Sequence, residues 1–211
     1  MKKTVLMTLC AVLLFVVFTA SAEIDGFELG HMEENIYVNP ALGITMEAGD
    51  IYNNNGGFLT YTGEQLNDYN EGTAFDDLPA LEARMKDGKP VYCLLYANMD
   101  RHIIGKTNTV KLAVYLAAEG DENPEITILS QEKEALEKEA EGKGYSLTKA
   151  EMSELELAGS MWSRMSVDIA NGDRHMQMTY AAIQKGDCVY LLTMSINDDS
   201  VEDYFPYFRA Q

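Results

Sequence analysis

Two glycine-bearing bends in the C-terminal third constrain this chain more than any other feature of it. Asn171-Gly172 and Lys185-Gly186 each lie between runs that alternate apolar with polar residues. Asn-Gly flanked by alternation is the strongest short-range hairpin signal, because a two-residue type I′ loop needs positive φ at both positions. Read so, Met161 to Ala170 pairs with Asp173 to Ala182, and Lys185-Gly186 folds Arg174 to Gln184 against Asp187 to Ser195. Opposed residues share a face. The register therefore predicts Met165 against Met178, Val167 against Met176 and Tyr180 against Leu191, all on a core side. The other side carries Arg164, Asp168, His175, Gln177 and Thr179 on two strands, but Tyr190, Leu192 and Met194 on the third. The third strand is thus expected to be covered on both faces.

The remaining elements precede and follow this meander. Asn35 to Asn39 and Ile44 to Met46 read as a hairpin around Pro40-Ala41-Leu42-Gly43. The run Asn53-Asn54-Asn55-Gly56-Gly57 tolerates left-handed backbone and reads as a surface loop. Thr62-Gly63-Glu64-Gln65 is a capping-box pattern that opens a short helix through Tyr69. Asp77 to Lys86 reads as a second helix, with Pro79 in its first turn, a stripe of Leu78, Leu81 and Met85, and Gly88 to end it. Val91 to Met99 and Thr109 to Leu116 form the next antiparallel pair. Ser130 is expected to cap a charged helix, Gln131 to Glu141, whose Leu129, Leu136 and Ala140 leave a narrow apolar seam. After the meander, Val201, Tyr204, Phe205 and Phe208 recur at helical spacing, and Pro206 is placed to kink or end that helix. Strands and helices segregated in this way predict an α+β domain.

The N-terminus sets the compartment. Met1-Lys2-Lys3, the apolar run Thr4 to Phe18 and Thr19-Ala20-Ser21-Ala22 have the form of a cleavable export signal. Residues 1–22 are therefore read as signal peptide and 23–211 as one extracytoplasmic domain, with no membrane span once the signal is removed. The formal charge is −18, and loss of Lys2 and Lys3 would make it more negative still. A domain so acidic repels nucleic acid and anionic lipid at long range, which excludes polyanion binding as its business.

The chemistry-bearing residues are few. Cys10 leaves with the signal, so Cys93 and Cys188 remain; in an exported chain they are a possible disulfide, and equally two small buried hydrophobes. Asp100-Arg101-His102 and Asp173-Arg174-His175 repeat one tripeptide. The register puts Asp168 opposite His175, a cross-strand ion pair that would hold the histidine partly charged near neutrality. It also puts Cys188 opposite Ile183, far along the strand from His175, so those two cannot form a Cys-His nucleophile. His175 points away from Met176 and Met178 on a strand, which argues against a copper site. Tyr52, Phe58 and Tyr61, in and after the asparagine-rich loop, are candidates for an aromatic docking patch or for anchoring that loop. No phosphate-cradling glycine loop, zinc set, serine-hydrolase elbow or calcium loop is present, so no cofactor, metal site or catalytic residue is expected.

With that order of elements the chain resembles exported bacterial members of the PsbP-like group. The resemblance rests on Tyr37-x-Asn39-x-x-Leu42-Gly43-Ile44, the charged helix after Ser130, Leu157-Ala158-Gly159 ahead of Trp162, and the final meander and helix. It departs from the pattern at Glu47-Ala48-Gly49-Asp50-Ile51, where a proline-glycine-tryptophan-like segment is expected. What the resemblance implies is an antiparallel sheet flanked by helices on both faces, and a protein that acts by docking and carries no catalytic residue. The expectation is an exported non-catalytic interaction or ligand-binding module, whose partner is an unknown protein or small ligand outside the cytoplasm. The competing expectation is an extracytoplasmic hydrolase whose site assembles only in three dimensions.

Overall fold

A computed structural model describes residues 24–34, 36–47, 57–99, 107–171, 174–196 and 201–211; residues 47, 57–61, 96–99, 107, 171, 174 and 175 are described by backbone alone. The proposed signal, Tyr52, His102 and the asparagine-rich loop lie outside the described residues.

The chain is α+β, built mostly from strands. In order along it come β1 (His31–Glu33), β2 (Ile36–Asn39), β3 (Ile44–Glu47), β4 (Gly57–Tyr61), α1 (Leu78–Lys86), β5 (Val91–Met99), β6 (Thr107–Leu116), α2 (Pro124–Lys143), β7 (Ser146–Leu157), β8 (Ser160–Asn171), β9 (Arg174–Lys185), β10 (Cys188–Ile196) and β11 (Phe208–Ala210). They form two antiparallel sheets, a small one in the order β1-β2-β3-β11 and a seven-stranded one in the order β4-β5-β6-β10-β9-β8-β7.

Several local signals act as expected. Gly43 closes the first hairpin at φ 62, its N–H donating to the Pro40 carbonyl at 3.1 Å. The Asp77 carboxylate accepts from Ala80 N at 3.1 Å to cap α1, and Gly88 stops that helix at φ 76. Leu81 and Met85 are buried, whereas Leu78, in the first turn, is exposed. Thr62 N donates to Gln65 Oε1, but the segment it opens is a 3₁₀ turn, Gly63–Leu66.

The meander is present and its two bends close one step later than the sequence reading places them. Asn171 pairs with Arg174 and Lys185 with Cys188, and the second loop is Gly186-Asp187. Glycine then takes the first central position, where Gly186 has φ 57, as a type II′ turn requires. The partners become Met165 with Tyr180, Val167 with Met178, and Leu191 with Ala182. A slip of two residues preserves which face each side chain occupies, because the strand repeat is two.

β10 is buried on both faces, as its sequence requires. One face of the large sheet, carrying Met165, Val167, Ile169, Tyr180, Val189 and Leu191, packs on α2 through Ile128 and Leu129. The other packs on the small sheet together with α1 and the 3₁₀ turn Val201–Tyr207, around Trp162, Tyr190, Leu112 and Met194. A single sheet is the sequence expectation; instead β1, β2 and β3 form a second sheet, which Phe208–Ala210 leaves the predicted C-terminal helix to join at β3. Pro206 removes a backbone donor there, so the apolar stripe continues as 3₁₀ and then as strand. Arg164 ties the turn to the sheet through Glu202 Oε1 at 2.9 Å and Thr179 Oγ1 at 3.2 Å, with its guanidinium over the Phe205 ring.

The charged helix also differs. α2 begins at Pro124 after Asn123, and Ser130 lies inside it, its hydroxyl donating back to the Ile126 carbonyl at 2.8 Å. Pro at the first helical position is the stronger start signal, since its missing N–H would have no partner there anyway. Gly144 closes the helix in the left-handed conformation at φ 71.

The start of the described chain is stitched to the middle of the large sheet. The Tyr190 hydroxyl donates towards the carbonyls of Gly26 (2.7 Å) and Glu28 (2.9 Å) and accepts from Glu28 N at 2.8 Å. Asp187 N donates to the Asp25 carbonyl at 2.9 Å. Gly26 has φ 77, and a Cβ there would stand 2.1 Å from the Lys185 carbonyl oxygen. Only glycine fits that approach.

A tyrosine-lined cleft beneath the long helix

The residues singled out from sequence do not converge. Asp168 lies opposite Gln177, and His175 opposite Ala170, so the expected direct ion pair is replaced by a diagonal placement. The cause is the two-residue slip of the first bend. Phe58 and Tyr61 stand on edge strand β4, opposite Asn98 and Leu95. Cys93 and Cys188 are free, buried thiols rather than a disulfide. Burial holds the Cys93 thiol far above its ordinary range and pushes Cys188 up to about 12, so neither supplies a thiolate near neutrality. His31, on β1, pairs with exposed Glu33 at 3.0 Å. No group of metal-ligating side chains exists among the described residues.

The geometry instead gathers a different set, on the face of the large sheet that α2 covers. Between that helix and β5, β6, β10 and β9 runs a cleft of about 230 Å³, lined by Tyr92, Lys111, Tyr115, Tyr180 and Thr193 from the strands and by Glu132, Leu136 and Glu139 from the helix. Ala113, Met178 and Leu191 complete its floor. Strand alternation explains the assembly: residues 111, 113 and 115 of β6 share one face. Pairing extends the row, with Thr193 opposite both Lys111 and Tyr180.

Tyr92 reaches this face through an irregularity. The pairing of β5 with β6 shifts between Tyr92 and Leu94, a bulge that places both Cys93 and Leu94 in the opposite core. Buried Asn70 clamps the bulge, accepting from Tyr92 N at 2.8 Å and donating to the Tyr92 carbonyl at 3.3 Å. Arg84 supports Asn70 in turn, donating to its carbonyl at 3.2 Å and to that of Pro90 at 2.8 Å. Its second charge partner is Glu71, which also meets Lys89. Those two cations hold the Glu71 carboxyl below its usual range through hydrogen bonding and charge.

Glu132 is the electrostatic centre of the cleft. It accepts a hydrogen bond from the Tyr115 hydroxyl at 3.0 Å. Burial first, and then the Glu132 charge, raises the pKa of Tyr92, Tyr115 and Tyr180 alike, with Glu139 adding to the last. All three phenols therefore stay neutral donors at physiological pH. Lys111 is partly buried and makes no hydrogen bond or ion pair among the described residues. It stands four residues from Tyr115 along β6, about 13 Å at the strand rise, which keeps its ammonium clear of Glu132.

A second hollow of about 220 Å³ adjoins the first at Tyr115, between the N-terminal turns of α2 and the end of β6. It is lined by Met85, Leu116, Pro124, Thr127, Ile128 and Gln131 among others. The two form a groove along the helix, polar and aromatic at one end and more apolar at the other.

No family model and no curated protein matches this chain. Two solved structures share parts of its arrangement at low similarity. One is LpqN of Mycobacterium tuberculosis, described as involved in cell envelope biogenesis, at 9% identity and a TM-score of 0.34, covering 74% of this chain and 81% of that one. The other is PA94 of Pseudomonas aeruginosa, of unknown function and described as a putative regulator, at 12% identity and a TM-score of 0.27, covering 53% and 83%. No helix among the described residues is long and apolar enough to cross a membrane.

Proposed function

We propose that this chain is an exported, non-catalytic binding module, and that its ligand seats in the cleft between α2 and the large sheet. One observation carries the reading: three neutral phenols, two carboxylates and a lysine that makes no ion pair among the described residues converge on a space large enough for a small organic molecule. The N-terminal export signal and the strong negative charge support a place outside the cytoplasm. The resemblance of the sequence to the PsbP-like group supports binding rather than turnover, since that resemblance brings docking and no catalytic residues. The inertness of both thiols argues in the same direction.

The test is a mixed library of small polar metabolites screened by two-dimensional NMR on the mature domain. Shifts confined to Tyr92, Lys111, Tyr115, Tyr180 and Glu132 are expected. Turnover on a broad hydrolase panel, unaffected by changes at those residues, would instead establish the enzyme reading.

A further inference from the structure

The arrangement of charge inside the cleft narrows the ligand class, on the assumption that the cleft is the binding site. Glu132 stands at one end, ringed by the phenols of Tyr92, Tyr115 and Tyr180, and accepts only one hydrogen bond, that of Tyr115 Oη, from them. Lys111 stands at the other, beside the Thr193 hydroxyl directly across the strand pair. Glu132 and Lys111 line the same space with no ion pair joining them, and the third charge there, Glu139, is already held by Lys143.

A sugar would use the aromatic faces and the hydrogen-bonding groups but has no need of opposite charges held apart. A simple organic cation would use Glu132 and the rings, yet meets repulsion from Lys111. A simple anion has the reverse difficulty. We infer that the cleft takes a small zwitterion of the size and reach of an ω-amino acid, its ammonium between Glu132 and the tyrosine rings and its carboxylate on Lys111 and Thr193. An ammonium beside a carboxylate and over phenol faces gains both ion-pair and cation–π attraction. A carboxylate on an ammonium and a hydroxyl gains charge-assisted hydrogen bonds, stronger than neutral ones because the site is partly dry. The spacing of Lys111 from Tyr115, the hydrogen-bond partner of Glu132, along β6 suits a chain of several methylenes better than glycine itself.

The experiment is isothermal titration of the mature domain with four probes of similar size, 6-aminohexanoate, hexylamine, hexanoate and glucose, with NMR locating each. 6-Aminohexanoate is expected to bind at least roughly tenfold more tightly than either singly charged probe. Lys111→Met should erase its margin over hexylamine, and Glu132→Gln its margin over hexanoate, each variant keeping the wild-type circular dichroism. Glucose binding in the cleft without a zwitterion preference would overturn the ligand class and leave the binding-module reading standing. A preference that survives both substitutions would also overturn it. If neither these probes nor the metabolite library moves a cleft resonance, the binding-module reading itself falls.

Discussion

The two faces of the large sheet are covered by the same kind of chain to different effect. Against the small sheet, the contact is closed: Trp162, Tyr190, Leu112, Met194 and Ile196 are essentially inaccessible, and the phenol of Tyr190 is spent on backbone groups of the first described residues. Against α2, the helix seats fully only through Ile128 and Leu129 near its start and Ala140 near its end. Its later turns carry Glu132, Leu136 and Glu139 over a floor of tyrosines and leave a gap. The apolar stripe of the helix is too narrow to seal the sheet beneath it, and the place where packing fails is where binding chemistry collects.

Alkaline titration tests that contrast most severely. Cys188 lies on the closed face, with its thiol pushed from 9.0 to about 12 by burial. An acid whose folded constant is raised stabilises the fold fully below the unfolded value, and that contribution is lost as pH climbs from about 9 to 12. Urea midpoints should fall steeply over that window, and Cys188→Ala should flatten the fall. Trp162→Ala, on the same face, is expected to cost about 3–5 kcal/mol in chemical denaturation. Asn70→Ala removes both hydrogen bonds at the Tyr92 bulge and should cost about 2 kcal/mol while shifting the Tyr92 resonances. The turn joining β7 to β8 belongs to neither face and calibrates the series. Ala158 sits there at φ 49, a left-handed position costly for alanine, so Ala158→Asn should raise stability by about 0.5–1 kcal/mol. Tyr115→Phe, on the open face, should change stability by less than about 1 kcal/mol, and equality with Trp162→Ala would erase the distinction between the faces.

Much of the closed face is legible in the sequence, because alternation and glycine bends determine which residues turn inward even when the bend is misplaced by one position and the pairing by two. The edge strand β7 is not: Ser146–Leu157 carries one β-branched residue, Thr148, among alternating acids and small residues, and is nearly all exposed. Its signal is the Ala158-Gly159 turn, which closes a two-residue hairpin onto Ser160. The open face is harder. Tyr115 and Tyr180 follow from alternation once strand order is known, but no local pattern brings β5, β6, β10 and β9 side by side. Tyr92 is harder again, since without the bulge its parity places it with Leu94 on the opposite side. Ser130 misled for a plain reason: a hydroxyl bonding four residues back inside a helix is made of the same residue type as a cap.

The lock between Tyr190 and the Gly26–Glu28 segment spans 162 positions of the chain. The first described residues obtain their partners only after β10, the penultimate strand in chain order, exists, and β3 waits still longer for β11. A nascent chain of this kind gains little from folding early, because its closing contacts are the costliest in loop entropy and come last. Consolidation of this fold is therefore deferred until β10 and β11 are both available.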